Sequence, residues 1–180
     1  APSRMSIDRV FSLKGFGTIV TGTLIEGKIS IDDEMTIYPS EKKVKVRNLQ
    51  VHGCDVKTAY AGQRTAINLS NIKVSEIQRG DVIAETGSVE ESMMIDVNIS
   101  LVEHCKKSLK HWDRIRVFHG TKQILCRIVP LNEDEIPYGE SGYAQLRLEE
   151  KIVAKKGDRF IIRSYSPMDT IGGGVIIDTA

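Results

Sequence analysis

Cysteine and histidine, the residue types that most often bind metals or act as nucleophiles, occur in this sequence without a spacing that builds a site. The three cysteines, Cys54, Cys105 and Cys126, form no CxxC pair, and their odd number argues against a disulfide framework. His52 lies two residues before Cys54, and His104 adjoins Cys105. Structural zinc, however, needs four ligands in close pairs. The sequence therefore predicts buried thiols, surface imidazoles and no metal site, in a reducing cytosol.

No arrangement suited to nucleophilic or acid–base catalysis is present either. The sequence contains no GxSxG motif and no pair of carboxylates with a reason to share a proton. The run Gly172-Gly173-Gly174 lacks the lysine that follows in the phosphate-binding loop GxxxxGK[ST]. We expect this run to form a tight β-turn or bulge, and we expect no catalytic residue and no cofactor in this chain.

Charge and hydropathy exclude two further classes of protein. The formal net charge of +1 gives no global attraction to nucleic acid, so any such contact must depend on local patches. No apolar run approaches the ~20 residues that span a bilayer, and no signal peptide opens the chain. We therefore expect no membrane partner and a cytoplasmic location. The opening Ala1-Pro2-Ser3 leads us to expect a piece of a longer protein.

The elements that must position any site are β-strands. Two runs rich in β-branched and aromatic residues flank Lys14-Gly15-Phe16-Gly17. Because glycine permits a tight reversal, this stretch predicts a β-hairpin that leads into a small barrel. Alternating apolar and polar residues predict further short strands at 35–38, 44–51, 61–69 and 79–84.

The second half repeats this pattern after a small, polar stretch at 85–91, which is the best linker. Strands are predicted at 93–102, 114–118, 123–129, 143–148, 158–163 and 170–178. An acidic loop is predicted at 130–142, and residues 105–111 are the single helical candidate. The predicted fold is all-β, with two consecutive small β-barrels at 1–88 and 89–180.

Two strings carry a resemblance to a known family. Asp8-Arg9-Val10-Phe11, with Lys14-Gly15-Phe16-Gly17-Thr18 and Thr21-Gly22-Thr23, resembles the opening of domain II in translational GTPases, above all the bacterial selenocysteine-specific elongation factors. Arg163-Ser164-Tyr165-Ser166-Pro167, with Thr170-Ile171-Gly172-Gly173-Gly174, resembles the end of domain III in the same family. The similarity covers nearly the whole chain, from about Arg4 to Asp178, and implies barrels of the domain II and domain III type.

The resemblance implies a pocket for the aminoacyl end of selenocysteyl-tRNA in the first barrel, lined by Asp8, Arg9 and Arg64. Selenocysteine carries a selenol more acidic than a thiol, so two guanidiniums would favour it over neutral serine. An alternative is that Arg9 simply pairs with Asp8 or with another carboxylate on the barrel rim. In a regular strand Asp8 and Arg9 point to opposite faces, so both can line one pocket only if the strand bends there.

Other basic residues are weaker candidates for contacts with tRNA. In the first barrel these are Lys14 and His52. In the second they form two groups, one near Trp112 and one near Gly157: Lys106, Lys107 and Lys110, then Lys155 and Lys156. Phosphate contacts position a nucleic acid without reading its sequence. Surface lysines at this density more often only increase solubility.

The resemblance also implies what this chain lacks. The family's G domain, expected to bind GTP and Mg²⁺, is absent, so we expect no enzyme activity from these residues. Selenocysteyl-tRNA and the ribosome are the implied partners, with the selenocysteine-insertion element of the mRNA bound through a further C-terminal domain. The alternatives are domains II and III of another translational-type GTPase, namely a sulfate-activating enzyme subunit or a relative of initiation or ribosome-rescue factors.

Overall fold

The computed structural model describes residues 1–103 and 108–179. The chain forms two compact units, Ala1–Val89 and Glu90–Ala180. The sequence analysis placed this boundary after Ser88. Each unit is all-β, and the described residues contain no α-helix. The all-β architecture of two barrels agrees with the prediction.

The first unit contains nine strands and one 3₁₀ turn, at Val74–Glu76. The strands are β1 (Arg4–Leu13), β2 (Gly17–Glu26), β3 (Lys28–Ser30), β4 (Glu34–Tyr38), β5 (Lys42–Val51), β6 (Cys54–Val56), β7 (Thr58–Tyr60), β8 (Arg64–Ser70) and β9 (Val82–Ala84). Six of them pair antiparallel in the order β4-β9-β1-β2-β8-β5, and a β4–β5 pairing closes the barrel. Strand β6 pairs antiparallel with β5, while β3 and β7 form a separate pair.

Branched aliphatic side chains on alternate positions fill this barrel. In β5, Val44, Val46, Leu49 and Val51 are buried, and the alternation slips between Val46 and Leu49. At that point the β5–β8 register shifts. Each fully buried side chain of this size contributes roughly 1.5–3 kcal/mol, so the core is the main source of the barrel's stability.

The predicted hairpin is formed by β1 and β2. Its turn is closed by a hydrogen bond from the Phe16 amide to the Leu13 carbonyl oxygen, 2.9 Å long. Gly15 and Gly17 have φ values of 86° and 87°, which glycine adopts without steric cost. The glycines of the turn therefore have the role that the sequence assigned to them.

The second unit contains eight strands within its described residues. They are β10 (Glu90–Leu101), β11 (Ser108–Lys110), β12 (Arg114–His119), β13 (Lys122–Pro130), β14 (Glu135–Pro137), β15 (Ser141–Ala154), β16 (Arg159–Ser164) and β17 (Thr170–Asp178). Six of them form a closed antiparallel barrel in the order β10-β15-β13-β12-β16-β17. Strands β11 and β14 pair separately.

Period-two alternation places the apolar residues of β12 and β13 inside this barrel. Ile115 and Val117 of β12 are buried, as are Ile124, Cys126 and Ile128 of β13. The intervening side chains therefore lie on the outer face. This division decides where the charged residues of the second barrel are presented.

Three local predictions in the second unit are wrong. Ser108–Lys110 is a strand and not the end of a helix, because Leu109 is buried and Ser108–Lys110 pairs with Glu135–Pro137. The rest of that helical candidate, 104–107, lies outside the described residues. The predicted acidic loop at 130–142 contains β14 for the same reason. A three-residue pairing with a segment far along the chain cannot be seen in a local pattern.

The glycine run is the third correction. Gly172, Gly173 and Gly174 form neither a turn nor a bulge but lie inside β17, paired with β10 and β16. A Cβ added at Gly174 would overlap the Asn98 carbonyl oxygen and lie 2.8 Å from the Phe160 ring. The glycines are needed because neighbouring strands approach closely. The run leaves no room for a phosphate group.

Candidate functional site

The strand irregularity that the proposed pocket requires is present at Asp8. Between β1 and β2, Ile7 lies opposite Gly22 and Arg9 lies opposite Thr21, so Asp8 has no cross-strand partner. This is a β-bulge, which bends a strand and redirects its side chains. Asp8 is half-buried and Arg9 is exposed.

The Asp8 carboxylate is the centre of a hydrogen-bond network from three strands. Arg64, the first residue of β8, donates to both carboxylate oxygens, from Nη1 to Oδ2 and from Nη2 to Oδ1 at 2.9 Å. Thr21 of β2 donates its hydroxyl to Oδ1, also at 2.9 Å. The Asp8 side chain is 17% exposed and the Arg64 side chain 51%. The carboxylate is thus largely enclosed, whereas the guanidinium faces solvent.

The charges of this network support each other. The hydrogen bonds from Arg64 hold the pKa of the Asp8 carboxyl below its ordinary value, against the opposing effect of partial burial. Thr21 and the charges of Arg64 and Arg79 also lower it. The same hydrogen bonds raise the pKa of Arg64. Asp8 therefore stays ionised and holds one edge of the Arg64 guanidinium.

Arg79 is a neighbour of this site that the sequence analysis did not single out as a site residue. Its Nη1 lies 3.4 Å from the Asp8 carbonyl oxygen, to which it donates. The segment around it is attached to β1 by two backbone hydrogen bonds, from Ile7 to Asp81 at 2.8 Å and from Gly80 to Ile7 at 2.9 Å. No signal in the sequence links Arg79 to Asp8, since they are 71 residues apart.

Arg9 projects from the same bulge but contacts neither Asp8 nor, among the described residues, any other carboxylate. Its guanidinium carbon lies 5.3 Å from the centre of the Phe11 ring, a cation–π contact. The alternative in which Arg9 forms a salt bridge with Asp8 therefore differs from the structure, where Asp8 forms its salt bridge with Arg64. The guanidinium donors of Arg9 stay available to a ligand.

A cavity of about 180 Å³ lies on the outer face of the same strands. Most of its walls are apolar, and three amide side chains complete it: Phe11, Leu13, Phe16, Ile19, Leu49 and Ala66, with Asn48, Gln50 and Asn68. The Asn68 Oδ1 atom is buried and has no hydrogen-bond partner in the described part of the chain.

Strand periodicity relates this cavity to the Asp8 network. Phe11 lies two positions from Arg9, while Ile19 and Ala66 lie two positions from the network residues Thr21 and Arg64. Residues two apart on a strand share a face, so β1, β2 and β8 each present one polar residue and one cavity residue. The apolar cavity and the arginines form one continuous surface. The sequence analysis missed the cavity, because its walls come from four strands.

The remaining candidates are dispersed. Lys14 is exposed in the hairpin turn, and His52 is exposed with a φ of 53° in the turn after β5. Lys110 and Lys156 are exposed, and Lys155 is half-buried in the turn before β16. The Lys156 Nζ lies 4.0 Å from an Asp178 carboxylate oxygen. Lys106 and Lys107 lie outside the described residues.

No metal centre emerges from the part of the chain that is described, where no three potential ligands cluster. Cys54 is exposed and Cys126 is buried. Burial raises the pKa of the Cys126 thiol to about 12, so this sulfur behaves as a core atom. His104 and Cys105 lie outside the described residues. The described residues contain no helix that is long and apolar enough to cross a membrane.

Both barrels are similar to domains of known proteins. The β-barrel domain of selenocysteine-specific elongation factor matches residues 96–180, and domain 2 of elongation factor Tu matches residues 17–84. A selenocysteine-specific elongation factor from Desulfomicrobium baculatum is 40% identical over 175 residues, which cover 97% of this chain and 28% of that protein. Over nearly its whole length the chain is thus similar to selenocysteine-specific elongation factors.

Further relatives of this family agree in sequence and in fold. A selenocysteine-specific elongation factor from Methanocaldococcus jannaschii is 30% identical, covering 97% of this chain and 41% of its own length. The apo structure of translation elongation factor SelB from Methanococcus maripaludis has a TM-score of 0.87 at 25% identity, over 100% of this chain and 43% of that one. The bacterial factor EF-Sec gives 0.83 at 27% identity, over 97% and 28%. The chain thus spans less than half the length of these relatives.

Proposed function

We propose that the first barrel binds the aminoacyl end of selenocysteyl-tRNA and recognises the negative charge of the selenolate. The observation that carries this proposal is the excess of positive charge around the bulge of β1. Three guanidiniums lie there: that of Arg64 binds the Asp8 carboxylate, that of Arg79 donates to the Asp8 carbonyl oxygen, and that of Arg9 contacts the Phe11 ring. An excess of guanidinium donors at a half-buried site favours an anionic ligand.

Arg64 keeps the donors that such a ligand needs. A guanidinium has five N–H groups, and Asp8 occupies one on each terminal nitrogen. The N–H group of Nε and one N–H group on each terminal nitrogen therefore remain available to donate to a ligand. Because Asp8 holds one edge of the planar fork, the opposite edge is preorganised and loses less side-chain entropy on binding.

Selenocysteine, cysteine and serine differ at a single side-chain atom, and the charge of the side chain distinguishes them more than its size does. Selenocysteine is largely a selenolate at neutral pH, because its selenol is more acidic than a thiol. Cysteine, with a pKa of about 8.5, is mostly neutral there. Serine is neutral throughout. A guanidinium that gives up water for a neutral side chain gains no ion pair in return.

The cavity beside the arginines suits the terminal base of the tRNA. Single-stranded RNA ends are recognised by stacking on aromatic side chains and by hydrogen bonds to base edges. Phe11 and Phe16 offer the rings, and Asn48, Gln50 and Asn68 the amide groups. A base with an amino group would satisfy the Asn68 Oδ1 atom, which otherwise lacks a partner.

The proposal assigns the nucleotide chemistry of the family to residues outside this chain. GTP and Mg²⁺ need a loop of backbone amides with a lysine and a hydroxyl. The glycine run at 172–174 instead lies inside β17 with neighbouring strands in contact, so this run does not fit a triphosphate. In this proposal GTP hydrolysis and delivery to the ribosome belong to residues outside this chain.

The test is binding of selenocysteyl-, cysteinyl- and seryl-tRNA to the wild-type protein and to Arg64→Ala. A charge-assisted hydrogen bond contributes roughly 1.5–3 kcal/mol, so the variant should bind selenocysteyl-tRNA about ten- to a hundredfold more weakly. Seryl-tRNA should lose little. Arg64→Lys should fall between, since it keeps the charge without the planar fork. Arg9→Ala should act alike, and the double variant should be less than additive if both residues hold one anion.

Lys57→Ala is the matched control, because it removes an exposed positive charge from the same barrel. It should leave the preference for selenocysteyl-tRNA unchanged. Equal losses of selenocysteyl- and seryl-tRNA in Arg64→Ala would show that Arg64 binds the tRNA backbone, and the pocket would have to be abandoned.

A further inference from the structure

The loop between β16 and β17 brings the side chains of Arg163 and Met168 into contact. Met168 lies in this loop and is 45% exposed. Arg163 is the last residue but one of β16 and is half-buried. Its Nη1 atom donates to the Met168 sulfur over 3.9 Å. Because a thioether sulfur is only a weak acceptor, this contact satisfies the guanidinium poorly.

The other surroundings of the Arg163 guanidinium do not make up for this weak contact. Its Nε atom is buried and has no acceptor in the described residues. Its carbon lies 4.8 Å from the centre of the Phe118 ring, a contact made by the flat face of the group. Its cross-strand partner in β12 is Arg116, a like charge. A buried donor without an acceptor is costly, so this site favours any group that brings an oxygen close to it.

Hydrogen bonds fix the backbone of the loop on which Met168 lies. The Ser164 amide donates to the Asp169 carbonyl oxygen at 2.9 Å, and the Asp169 amide donates to the Ser164 hydroxyl oxygen at 3.1 Å. The Nε atom of Arg116 donates to the Tyr165 carbonyl oxygen at 3.1 Å. The unbranched methionine side chain keeps three rotatable bonds of its own. Its sulfur can therefore carry a new atom while the strands stay in place.

Oxidation of the Met168 sulfur would supply the acceptor that Arg163 lacks. Methionine sulfoxide is polar and chiral, and its formation is reversible. Its oxygen is a much stronger acceptor than a thioether sulfur, and it extends beyond the sulfur that already lies 3.9 Å from the Arg163 Nη1 atom. In most packed positions a sulfoxide is disruptive. Here it would instead meet a guanidinium with donors to spare.

We propose that Met168 is a site of reversible oxidation by peroxide, and that Arg163 binds the oxygen of the resulting sulfoxide. The sulfur lone pair attacks one oxygen of hydrogen peroxide, and the O–O bond breaks. The proton of the attacked oxygen passes to the departing one, which leaves as water. The sulfur is thereby oxidised by two electrons and the peroxide is reduced by the same two. An N–H group of Arg163 next to the sulfur stabilises the negative charge that develops on the departing oxygen.

Met93 is the internal comparison for Met168, because the two residues are almost equally exposed, at 47% and 45%. Met93 lies at the register shift between β10 and β15, and its sulfur receives no hydrogen bond within the described residues. Exposure alone therefore predicts equal rates of oxidation for the two side chains. A contribution from Arg163 predicts that Met168 reacts faster. The other three methionines are buried or half-buried: Met5, Met35 and Met94.

The experiment uses two variants of the chain that each keep one exposed methionine. Met93→Leu keeps Met168, and Met168→Leu keeps Met93; exchange of methionine for leucine conserves volume and disturbs packing little. Both are treated with hydrogen peroxide, and peptide mass mapping measures the oxidation of each residue over time. Met168 should be oxidised about two- to tenfold faster than Met93, the gain expected from one hydrogen bond in the transition state. Adding Arg163→Gln to Met93→Leu should remove this difference.

The stability of the oxidised protein is the second measurement. Urea unfolding followed by the fluorescence of Trp112, the single tryptophan, reports on the second barrel. In Met93→Leu the sulfoxide should raise the ratio of folded to unfolded protein about tenfold, because hydrogen bonds to charged groups are the stronger ones. Arg163→Gln should abolish this gain, and Arg163→Lys should keep part of it, since lysine retains a charged donor. Each variant is compared with itself before and after oxidation, so its own effect on folding cancels.

Three outcomes would overturn the proposal. These are oxidation of Met168 no faster than that of Met93, a Met168 sulfoxide that fails to raise stability, and a gain in stability that persists in Arg163→Gln. Treatment with methionine sulfoxide reductases A and B, which reduce one epimer each, should return the urea midpoint to that of untreated protein. A midpoint that does not return would contradict reversibility. None of these measurements involves tRNA, so their result is independent of the pocket proposed in the first barrel.

Discussion

Replacing Asp8 by asparagine separates the role of its charge from its role in positioning Arg64. The substitution preserves the size of the side chain and an acceptor for Thr21, but it removes the negative charge that holds Arg64. If charge alone governed the site, losing a carboxylate would strengthen binding of an anion. If Asp8 positions Arg64, the same change weakens it. The two explanations therefore predict opposite signs for the affinity of selenocysteyl-tRNA.

The expected change in stability follows from the exposure of the two partners. Hydrogen bonds to charged groups contribute roughly 1.5–3 kcal/mol, but exposed ion pairs only about 0–1 kcal/mol. Asp8 is 17% exposed and Arg64 is 51% exposed, so solvent screens much of the interaction. We expect Asp8→Asn to lower the free energy of unfolding by about 1 kcal/mol at pH 7.

The pH dependence gives a second check. The hydrogen bonds from Arg64 lower the pKa of Asp8 in the folded state below the unfolded value of about 3.9. The stabilisation is therefore fully present above about pH 4 and is lost as pH falls through the folded pKa. Urea unfolding followed by circular dichroism, from pH 7 to about pH 2.5, should show wild type and Asp8→Asn converging in acid.

Two variants serve as references for this measurement. Thr21→Val removes the hydrogen bond that an uncharged hydroxyl donates to Asp8, so it should lower stability less than Asp8→Asn while keeping the dependence on pH. Glu133→Gln removes an exposed carboxylate elsewhere and should change neither property. A difference between wild type and Asp8→Asn that stays constant from pH 7 to acid would refute the ion pair, and tighter binding of selenocysteyl-tRNA would refute the positioning role.

Two other predictions concern the second barrel. Cys126 should resist alkylation by iodoacetamide at pH 8 in the folded protein while exposed Cys54 reacts, because burial raises the pKa of Cys126 to about 12. Peptide mass mapping measures the labelling of both cysteines, and labelling of Cys126 in the folded protein would contradict its burial. Gly174→Ala should lower the free energy of unfolding by about 1–3 kcal/mol or more, since a Cβ there overlaps the Asn98 carbonyl oxygen; an unchanged urea midpoint would show that β10 and β17 can separate at no cost.

The sequence predicts a strand correctly where the strand has an ordinary length and its inward-facing residues are branched. The alternation in β12 and β13 is visible locally, because each inward residue reports its own burial. Strand β11 could not be predicted, since its three residues are stabilised by Glu135–Pro137, far along the chain. The glycines at 172–174 were misassigned for a related reason. Local patterns associate glycine with turns, whereas here it accommodates close strands.

The residues of the candidate site were likewise predicted only in part. Asp8, Arg9 and Arg64 were reached through the resemblance of their strings to a family, and the structure places Asp8 and Arg64 in contact. Arg79 was not reached, because its only polar contact at this site is with a backbone oxygen. The cross-strand pairing of Arg127 with Arg147 in the second barrel could not be predicted either, because it is visible only once the register of β13 and β15 is known.

The geometry of the Asp8 network depends on residues that carry no charge. Gly22 faces Ile7 at the bulge, and a Cβ there would overlap the Ser6 carbonyl oxygen. On the other side, the Gly80 amide donates to the Ile7 carbonyl oxygen at 2.9 Å. The backbone before Asp8 is thus held between β2 and the segment before β9. Any larger residue at position 22 would push β1 outward and move the carboxylate away from Arg64, although every charged group of the site would still be present.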